Sequence, residues 1–228
     1  MLHGFLPALL EGTLTTLSVA LASLGIALLL GLLGAAAKLA RMPLLRGVAM
    51  AYTTIVRGVP DLVLMLLIFF GGQIAINTLA AKFGFEGYVD IDPFVAGVAT
   101  IGFIFGAYLT ETFRGALIAI DTGQREAGLA FGMSRVQVFR RITLPQMIRF
   151  AIPGFTNNWL VLVKSTAIVS VIGLTDMMHS AGMAAGATRE PFTFYLAAGV
   201  IYLAITSVSM LGLGALERRV SVGLRRAA

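Results

Sequence analysis

The chain has 228 residues, of which 58% are apolar, with a mean hydropathy of +0.91, a net charge of +6 and no cysteine. Its apolar residues come in long runs, which exceed the needs of a soluble core and are typical of transmembrane proteins. The absence of cysteine excludes disulfides and thiolate metal sites. We interpret the excess of Lys and Arg over Asp and Glu as basic residues retained beside a membrane, and we expect no nucleic-acid partner.

Five apolar segments follow one another along the chain, at residues 13–37, 59–81, 93–116, 151–174 and 192–214. Each has about 20–25 residues, enough to cross roughly 30 Å of hydrocarbon at 1.5 Å per residue. We therefore predict an all-α integral membrane protein, with residues 1–228 forming one transmembrane domain of about five helices. The first segment is too long for a cleaved signal peptide and lacks a basic leader, so we expect it to be retained.

The basic residues predict the orientation of these spans. The connections at 38–58 and 114–150 and the tail after residue 214 carry four, six and four of the 17 Lys and Arg residues. The opposite connections hold Lys82 and Arg189. Because basic residues are retained on the cytoplasmic side, we predict the N-terminus outside and the C-terminus in the cytoplasm.

The cytoplasmic stretch EAGLAFGMSRVQVFRRITLP, residues 126–145, is basic and is interrupted at Gly132. Ser134 followed three residues later by Gln137 matches a capping box, which predicts a short helix beginning just after Ser134. We expect Thr-Leu-Pro at 143–145 to end that helix before the fourth span.

On this predicted helix Val136, Phe139 and Ile142 recur every three residues and share a face. With a helical piece at 124–131, the stretch becomes two short helices bent at Gly132, presenting an apolar ridge with a basic rim. From the residues alone, two interpretations are open. The ridge lies on the lipid surface, as basic amphipathic helices do, or it fills a groove in a partner protein.

The spacing of this stretch resembles the EAA loop of ABC importer permeases. That loop reads E-A-A, three residues, G, nine residues, I-x-L-P, and this chain differs only in having Gly128 for the second Ala. In that family the loop is the coupling helix that docks in a cleft of a cytoplasmic ATPase subunit. The resemblance implies a type I ABC importer permease fold with a coupling loop at about 119–148. It assigns ATPase coupling to Glu126, Ala127, Gly128, Gly132, Ser134, Phe139, Ile142, Leu144 and Pro145.

Further stretches resemble the polar amino acid permeases, namely IVRGVPDLVLMLLIFFG (55–71), GAYLTETFRGALIAIDTGQREAG (106–128) and NNWLVLVKSTAIVSVIGL (157–174). REPFTFYLAAGVIYLAITSVS (189–209) most resembles the Q-type permease of the histidine/lysine/arginine/ornithine and opine importers. The resemblance implies ATP-driven, alternating-access import of basic amino acids. It also implies as partners a homologous M-type permease, two cytoplasmic ATPase subunits and a periplasmic binding protein, in a bacterial inner membrane whose lipid surrounds the chain.

No Walker loop is present, so we expect a non-catalytic subunit that binds no cofactor, with ATP and Mg on the partner ATPase. H-E-x-x-H and G-x-S-x-G are also absent, which disfavours an intramembrane enzyme, and we predict no metal site. The odd number of spans and the coupling loop disfavour a standalone carrier or channel. An alternative permease for neutral or acidic polar amino acids, as a homodimer, stays open.

Charged side chains within spans are costly and therefore face a cavity or a partner. We hypothesise that Asp61 and Glu111 line the substrate pathway and attract a cationic side chain. The alternative for Glu111 is a pair with Arg114 on the same helical face. The alternative for Asp61 is stabilisation of the N-terminus of the second span.

The fourth span carries Lys164, Thr166 and Ser170, which we also assign to the substrate pathway. Lys164 pairs with the substrate carboxylate or with an acid of the partner permease, and a purely structural pair is the alternative. Thr166 and Ser170 are four residues apart and are expected to share a face. Their alternative is a hydroxyl bonded to the helix backbone.

Overall fold

A computed structural model describes residues 4–85 and 87–220, and all regular structure in these ranges is helical. The helices are α1 Leu6–Leu39, α2 Pro43–Gly58, α3 Asp61–Lys82, α4 Pro93–Ile118, α5 Thr122–Ala130, α6 Arg135–Val138, α7 Leu144–Ser165, α8 Met177–Thr188 and α9 Pro191–Val220. A π-helical turn at Phe139–Thr143 joins α6 to α7, and a 3₁₀-helix at Thr166–Ile172 follows α7. Arg225 and Arg226, which the predicted orientation counts, lie outside the described residues.

Five helical stretches are long and apolar enough to cross a membrane, which confirms the predicted all-α class and number of spans. They are Leu6–Leu39, Asp61–Lys82, Pro93–Ile118, Arg135–Ile172 and Pro191–Val220. The first, the fourth and the fifth are longer than predicted. Two helices that the sequence analysis did not predict, α2 and α8, lie in the connections after the first and the fourth spans.

The expected helix end at 143–145 is wrong. The chain stays helical from Arg135 to Ile172, because a π-helical turn replaces the break. In that turn the Leu144 N–H donates to the Phe139 carbonyl, five residues earlier. Pro145 then falls in the first turn of α7, where proline is tolerated. The helix therefore bulges by one residue at this point and continues into the membrane.

The centre of the fold is the pair of parallel helices α1 and α4, which are in contact along most of their length. Their backbones approach so closely that glycine is required. A Cβ at Gly31 would lie 2.7 Å from the Leu109 Cβ, and one at Gly102 would lie 2.6 Å from the Ile26 Cβ. Such close contacts through small residues are how membrane helices gain packing energy, because lipid tails are as apolar as the side chains.

At the far end of α1, α8 packs against α1 and α9 to form a second, smaller core around Leu9, Met177 and Phe194. Gly12 of α1 again permits the contact, because a Cβ there would lie 2.7 Å from the Asp176 carbonyl oxygen. The Met177 N–H donates to the Thr16 hydroxyl at 3.2 Å. The chain that follows the 3₁₀-helix is therefore anchored to the first span.

We predict that Gly31→Val destabilises the protein, whereas Gly25→Val on the same helix does not. Both changes alter helix propensity equally, but Gly31 faces Leu109 and Phe113 while a Cβ at Gly25 meets nothing within 4 Å. Overpacking of this kind costs about 1–3 kcal/mol. The measurement is the thermal unfolding midpoint of the purified proteins in mild detergent. Equal midpoints for the two variants would contradict the predicted α1–α4 packing.

Candidate functional site

The predicted coupling loop folds as a corner between α5 and α6. Asp121 caps α5, with its Oδ1 accepting the Gly123 N–H at 2.8 Å. After α5 the chain turns at Gly132, whose φ of +80° is the left-handed conformation that glycine adopts without strain. The predicted capping box is confirmed. The Ser134 N–H donates to Gln137 Oε1 at 2.8 Å, and the Gln137 N–H donates to Ser134 Oγ at 3.3 Å.

Gly128 allows the two arms of this corner to pack together. It is buried, and a Cβ there would lie 2.7 Å from Ile142 Cδ1 and 3.1 Å from Val138 Cγ2. The glycine that departs from the E-A-A pattern therefore sits where α5 rests directly on α6 and the π-helical turn. Ile142 is half-buried in this contact and does not share the exposed face of Val136 and Phe139, so that part of the prediction is wrong. The wider π-helical turn rotates it inward.

The corner exposes an apolar surface that we call the ridge, formed by Leu129, Phe131, Val136 and Phe139. The Phe131 side chain is 88% exposed, although it is among the largest apolar side chains of the corner. An open groove of about 480 Å³ lies beside the ridge, with Arg125, Glu126 and Arg135 among its lining residues. An exposed aromatic beside a charged groove suits docking into a partner protein.

The other residues assigned to coupling differ in their exposure to the surroundings. Glu126, Ala127, Ser134 and Pro145 are exposed, whereas Leu144 is half-buried and packs against the main core. Within the described part of the chain, Glu126 forms no ion pair. Its carboxylate is therefore available to a partner.

At the end of α1 nearest this corner, Glu111 is held between two cations. Lys38 donates to the Glu111 carboxylate and, at 2.5 Å, to the Thr53 hydroxyl. Arg114 Nη2 and Nε each lie 2.9 Å from the other oxygen of Glu111. The pair with Arg114 was anticipated as an alternative, but Lys38 was missed because the sequence places it among the loop cations. The Lys38 side chain is only 11% exposed.

Beside this ion pair lies an open cavity of about 450 Å³ lined by Lys38, Thr53, Thr54, Arg57, Gly58, Tyr108 and Glu111. The Arg57 guanidinium carbon lies 5.4 Å from the centre of the Tyr108 ring, within cation–π range. Asp61 begins α3 three residues after Gly58. It is half-buried and lies in the first turn of that helix. Asp61 and Glu111 therefore lie at the same end of the spans.

The fourth-span residues do not converge in the single chain. Lys164 is exposed and forms no ion pair with any described residue. Thr166 Oγ1 donates to the Val163 carbonyl at 2.7 Å, and Ser170 Oγ donates to the Ala167 carbonyl at 2.8 Å. The expected shared face of Thr166 and Ser170 is wrong. In a 3₁₀-helix, with three residues per turn, residues four apart are rotated by about 120°. Their assignment to the substrate pathway stays a prediction.

A buried acid at the opposite end was not predicted. Asp176 is completely buried and caps α8, with Oδ1 accepting the His179 N–H at 2.9 Å. Among the described residues, its Oδ2 has no hydrogen-bond partner. Burial raises the pKa of the Asp176 carboxyl, and the hydrogen bonds from backbone N–H groups oppose that rise only in part. The only sequence signal for its capping role is an Asp placed just before a helix, a pattern that many exposed helix caps share.

We predict that Asp176→Asn weakens the pH dependence of stability. The pKa of Asp176 is raised on folding, so the native state binds the proton more tightly than the unfolded state does. The stability it contributes is then present below the unfolded pKa and is lost as pH rises through the folded pKa. Asparagine keeps the helix cap but cannot ionise. The measurement is the unfolding midpoint from about pH 4 upward. An unchanged pH profile would contradict this role.

Comparisons with known proteins agree with this geometry. The family model described as binding-protein-dependent transport system inner membrane component matches residues 27–222. The histidine/lysine/arginine/ornithine transport system permease protein HisQ of Escherichia coli (strain K12) is 53% identical over 227 residues, which is 100% of this chain and 99% of that protein. The octopine transport system permease protein OccQ of Rhizobium radiobacter is 43% identical over 96% of this chain and 92% of its own length.

A solved structure is similar over almost the whole chain. It is described as the crystal structure of an amino acid ABC transporter with histidines. The two chains superpose with a TM-score of 0.79 at 32% identity, covering 93% of this chain and 94% of that one. The similarity therefore extends over more than nine-tenths of both chains.

Proposed function

We propose a specific transport role for this chain, which belongs to the family of binding-protein-dependent transport system inner membrane components. It is a Q-type polar amino acid ABC permease, a multi-pass protein of the bacterial inner membrane and a non-catalytic transport subunit. Within that class, the proposal is that it imports basic amino acids delivered by a periplasmic binding protein. ATP hydrolysis on separate ATPase subunits drives the import by alternating access.

The observation that carries the proposal is the ridge on the α5–α6 corner. Its apolar side chains are about half or more exposed in the single chain, and Gly132 and the capping box hold them in a defined shape. A short helix that fills a groove is a recurring mode of recognition between proteins. The ridge is therefore proposed as the surface that docks in the ATPase subunit, with Glu126 and Ala127 beside it.

Movement of the ridge has a continuous path into the membrane. The corner is joined to the fourth span without a break in the helix, from Arg135 to Ile172. Gly128 packs α5 onto the same helix, so the corner moves with it as a unit. Closure of an ATPase dimer would then tilt the fourth span, which is the displacement that alternating access requires.

The proposed orientation follows the basic residues. Lys38, Arg57, Arg114 and the corner lie at one end of the spans, which the positive-inside rule places in the cytoplasm. The N-terminus is then outside. The proposed assembly contains a homologous M-type permease, two ATPase subunits that hold ATP and Mg, and a periplasmic binding protein.

The substrate proposal rests on the relatives and on the acids at the inner end of the spans. HisQ is described as a histidine/lysine/arginine/ornithine permease, and it is 53% identical to this chain over its full length. Of the proposed pathway acids, Glu111 is neutralised by Lys38 and Arg114, whereas Asp61 forms no ion pair with a described residue. Asp61 is therefore the better candidate to attract a cationic side chain in this conformation. Lys164, Thr166 and Ser170 remain proposed pathway residues further along the spans.

We predict that Phe131→Asp strongly reduces capture of the ATPase subunit. A charge at the centre of an apolar docking surface typically costs at least about 2 kcal/mol, which weakens binding roughly 30-fold. The measurement is the amount of ATPase subunit that copurifies with the tagged permease, together with ATP-dependent uptake.

Phe83→Asp is the matched control, because Phe83 is equally exposed, at 88%, and lies at the other end of the spans. The control is expected to capture the ATPase normally. Normal capture by Phe131→Asp in a folded preparation would refute the docking role of the ridge.

The substrate class is tested by competition. Uptake of labelled arginine by the assembled importer is measured in the presence of excess lysine, histidine, glutamine or glutamate. We expect lysine and histidine to compete at least tenfold more effectively than the other two, because a site with a carboxylate recognises a cationic side chain. Effective competition by glutamine or glutamate would instead favour the alternative permease for neutral or acidic amino acids.

A further inference from the structure

A second cavity at the corner lies outside the ridge. Its volume is about 350 Å³, and residues of α5, of the π-helical turn and of the start of α7 line it. We call it the arginine cavity, because Arg141 and Arg149 are both among its lining residues. Arg141 follows Phe139 of the ridge by two positions, which is roughly half a turn of the helix. The arginine cavity therefore faces away from the proposed docking surface.

The π-helical turn places the two arginines on one side of the helix. Arg141 lies in that turn and Arg149 lies in α7. Eight residues of a regular α-helix turn through about 800°, which is roughly 80° more than two full turns. The extra residue of the π-helical turn takes up most of this excess. Arg141 and Arg149 are therefore about 12 Å apart along the axis, and both long side chains line the same cavity.

A pair of amide side chains fixes the shape of the arginine cavity. Gln146 Nε2 donates to Gln124 Oε1 at 2.6 Å and to the Ile142 carbonyl at 3.0 Å. This contact ties α5 to α7, and both glutamines line the cavity. Gln124 uses its oxygen in this bond, which leaves its amide N–H groups available to a ligand. The cavity therefore combines guanidinium and amide donors.

The charge of the arginine cavity is not neutralised within the described part of the chain. Arg141 and Arg149 are exposed, and neither forms an ion pair with a described residue. Residues 127–175 contain no Asp or Glu, and Glu126 of α5 lines the groove beside the ridge instead. Two like charges on one cavity repel each other, and a bound anion relieves that repulsion. The guanidinium fork matches the oxygens of a phosphate group.

The position of the arginine cavity along the span favours a lipid as the source of that phosphate. Arg149 lies two residues before the apolar segment that begins at residue 151. Phe150 also lines the cavity, and its side chain and that of Ile148 are exposed. The donors are therefore placed at the level of the headgroups, beside apolar side chains that meet acyl chains. Basic pockets at this depth bind the headgroups of anionic lipids.

We propose that the arginine cavity binds the phosphate of an anionic phospholipid between Arg141 and Arg149, with an acyl chain of that lipid against Phe150. The bound lipid would lie where α5 meets the fourth span, and it would stabilise the packing of the corner on that span. This site is separate from the ridge and from the substrate pathway.

The first test compares lipid retention. The protein, together with the subunits that copurify with it, is loaded with phosphatidylglycerol or with phosphatidylcholine of the same acyl chains, washed in neutral detergent, and analysed by native mass spectrometry. We expect phosphatidylglycerol to be retained preferentially. An arginine near the surface contributes roughly fivefold to binding, so Arg141→Gln and Arg149→Gln are each expected to reduce retention about fivefold. The double variant is expected to reduce it about 25-fold.

Arg140→Gln is the matched control, because Arg140 is adjacent to Arg141 in the same π-helical turn and equally exposed, but does not line the cavity. Its retention is expected to stay close to that of the wild type. All four residue changes leave exposed positions polar, and equal unfolding midpoints check that the variants are folded. The proposal is overturned if Arg140→Gln loses as much lipid as Arg141→Gln, or if the wild type retains the two lipids equally.

Two further outcomes identify a different occupant, and each would overturn the proposal. Excess inorganic phosphate in the wash is expected to leave the lipid in place, and its displacement by phosphate would point to a soluble anion. Native mass spectra also separate particles with and without the ATPase subunit. Both are expected to carry the lipid, whereas its absence from the ATPase-bound particles alone would show that a partner carboxylate fills the cavity.

The second test locates the lipid in vesicles. The chain has no cysteine, so a fluorophore can be attached at the single introduced cysteine of Phe150→Cys. Brominated acyl chains quench a fluorophore that they contact. We expect brominated phosphatidylglycerol to quench this label at a several-fold lower mole fraction than brominated phosphatidylcholine does, and we expect this preference to disappear when Arg141→Gln and Arg149→Gln are added. Equal quenching by the two lipids before those changes would contradict the proposed site.

Discussion

The close contact between α1 and α4 is the constraint on which the rest of the structure depends. In a membrane, apolar side chains gain nothing by leaving lipid, so helices associate through close packing and through polar groups that find partners. Gly31 and Gly102 allow the close packing, since a side chain at either position would collide with the facing helix. At the end of α1 near residue 38, Lys38 and Glu111 are polar groups that find each other as partners. This pair also fixes the level at which α2 leaves α1.

The fourth span combines a rigid part with a part that departs from α-helix. Its cytoplasmic end is continuous with the α5–α6 corner through the π-helical turn, so a displacement of the corner is carried directly into the membrane. At its other end the helix tightens to 3₁₀ geometry and stops at Gly173, which has a φ of +90°. The chain that follows is anchored to α1 at Gly12 and Thr16. The segment between these two fixed points is where we expect bending, because 3₁₀ hydrogen bonds are poorer than those of the α-helix.

Charge is distributed in this molecule according to the cost of burying it. Lys38 and Glu111 are nearly buried, and each has a partner of opposite charge. Asp176 is completely buried, and burial raises the pKa of its carboxyl despite the backbone N–H groups that donate to it. Glu126 is exposed, forms no ion pair within the described residues, and therefore remains available to a partner protein. The unpaired charges thus mark surfaces that meet other molecules, and the paired ones hold the helices together.

The sequence by itself determined the features that depend on neighbouring residues. Hydropathy over about 20 residues located the five spans, and the local chemistry of Gly132 and Ser134 defined the corner. The tertiary structure decided what depends on distant residues. Lys38 meets Glu111 across 73 residues of sequence, and Asp176 is buried only because α8 folds back on α1. Hydropathy cannot show which helical faces meet. Nor could local rules show that the helix passes through Pro145, because its continuation depends on the packing of α5 against the π-helical turn.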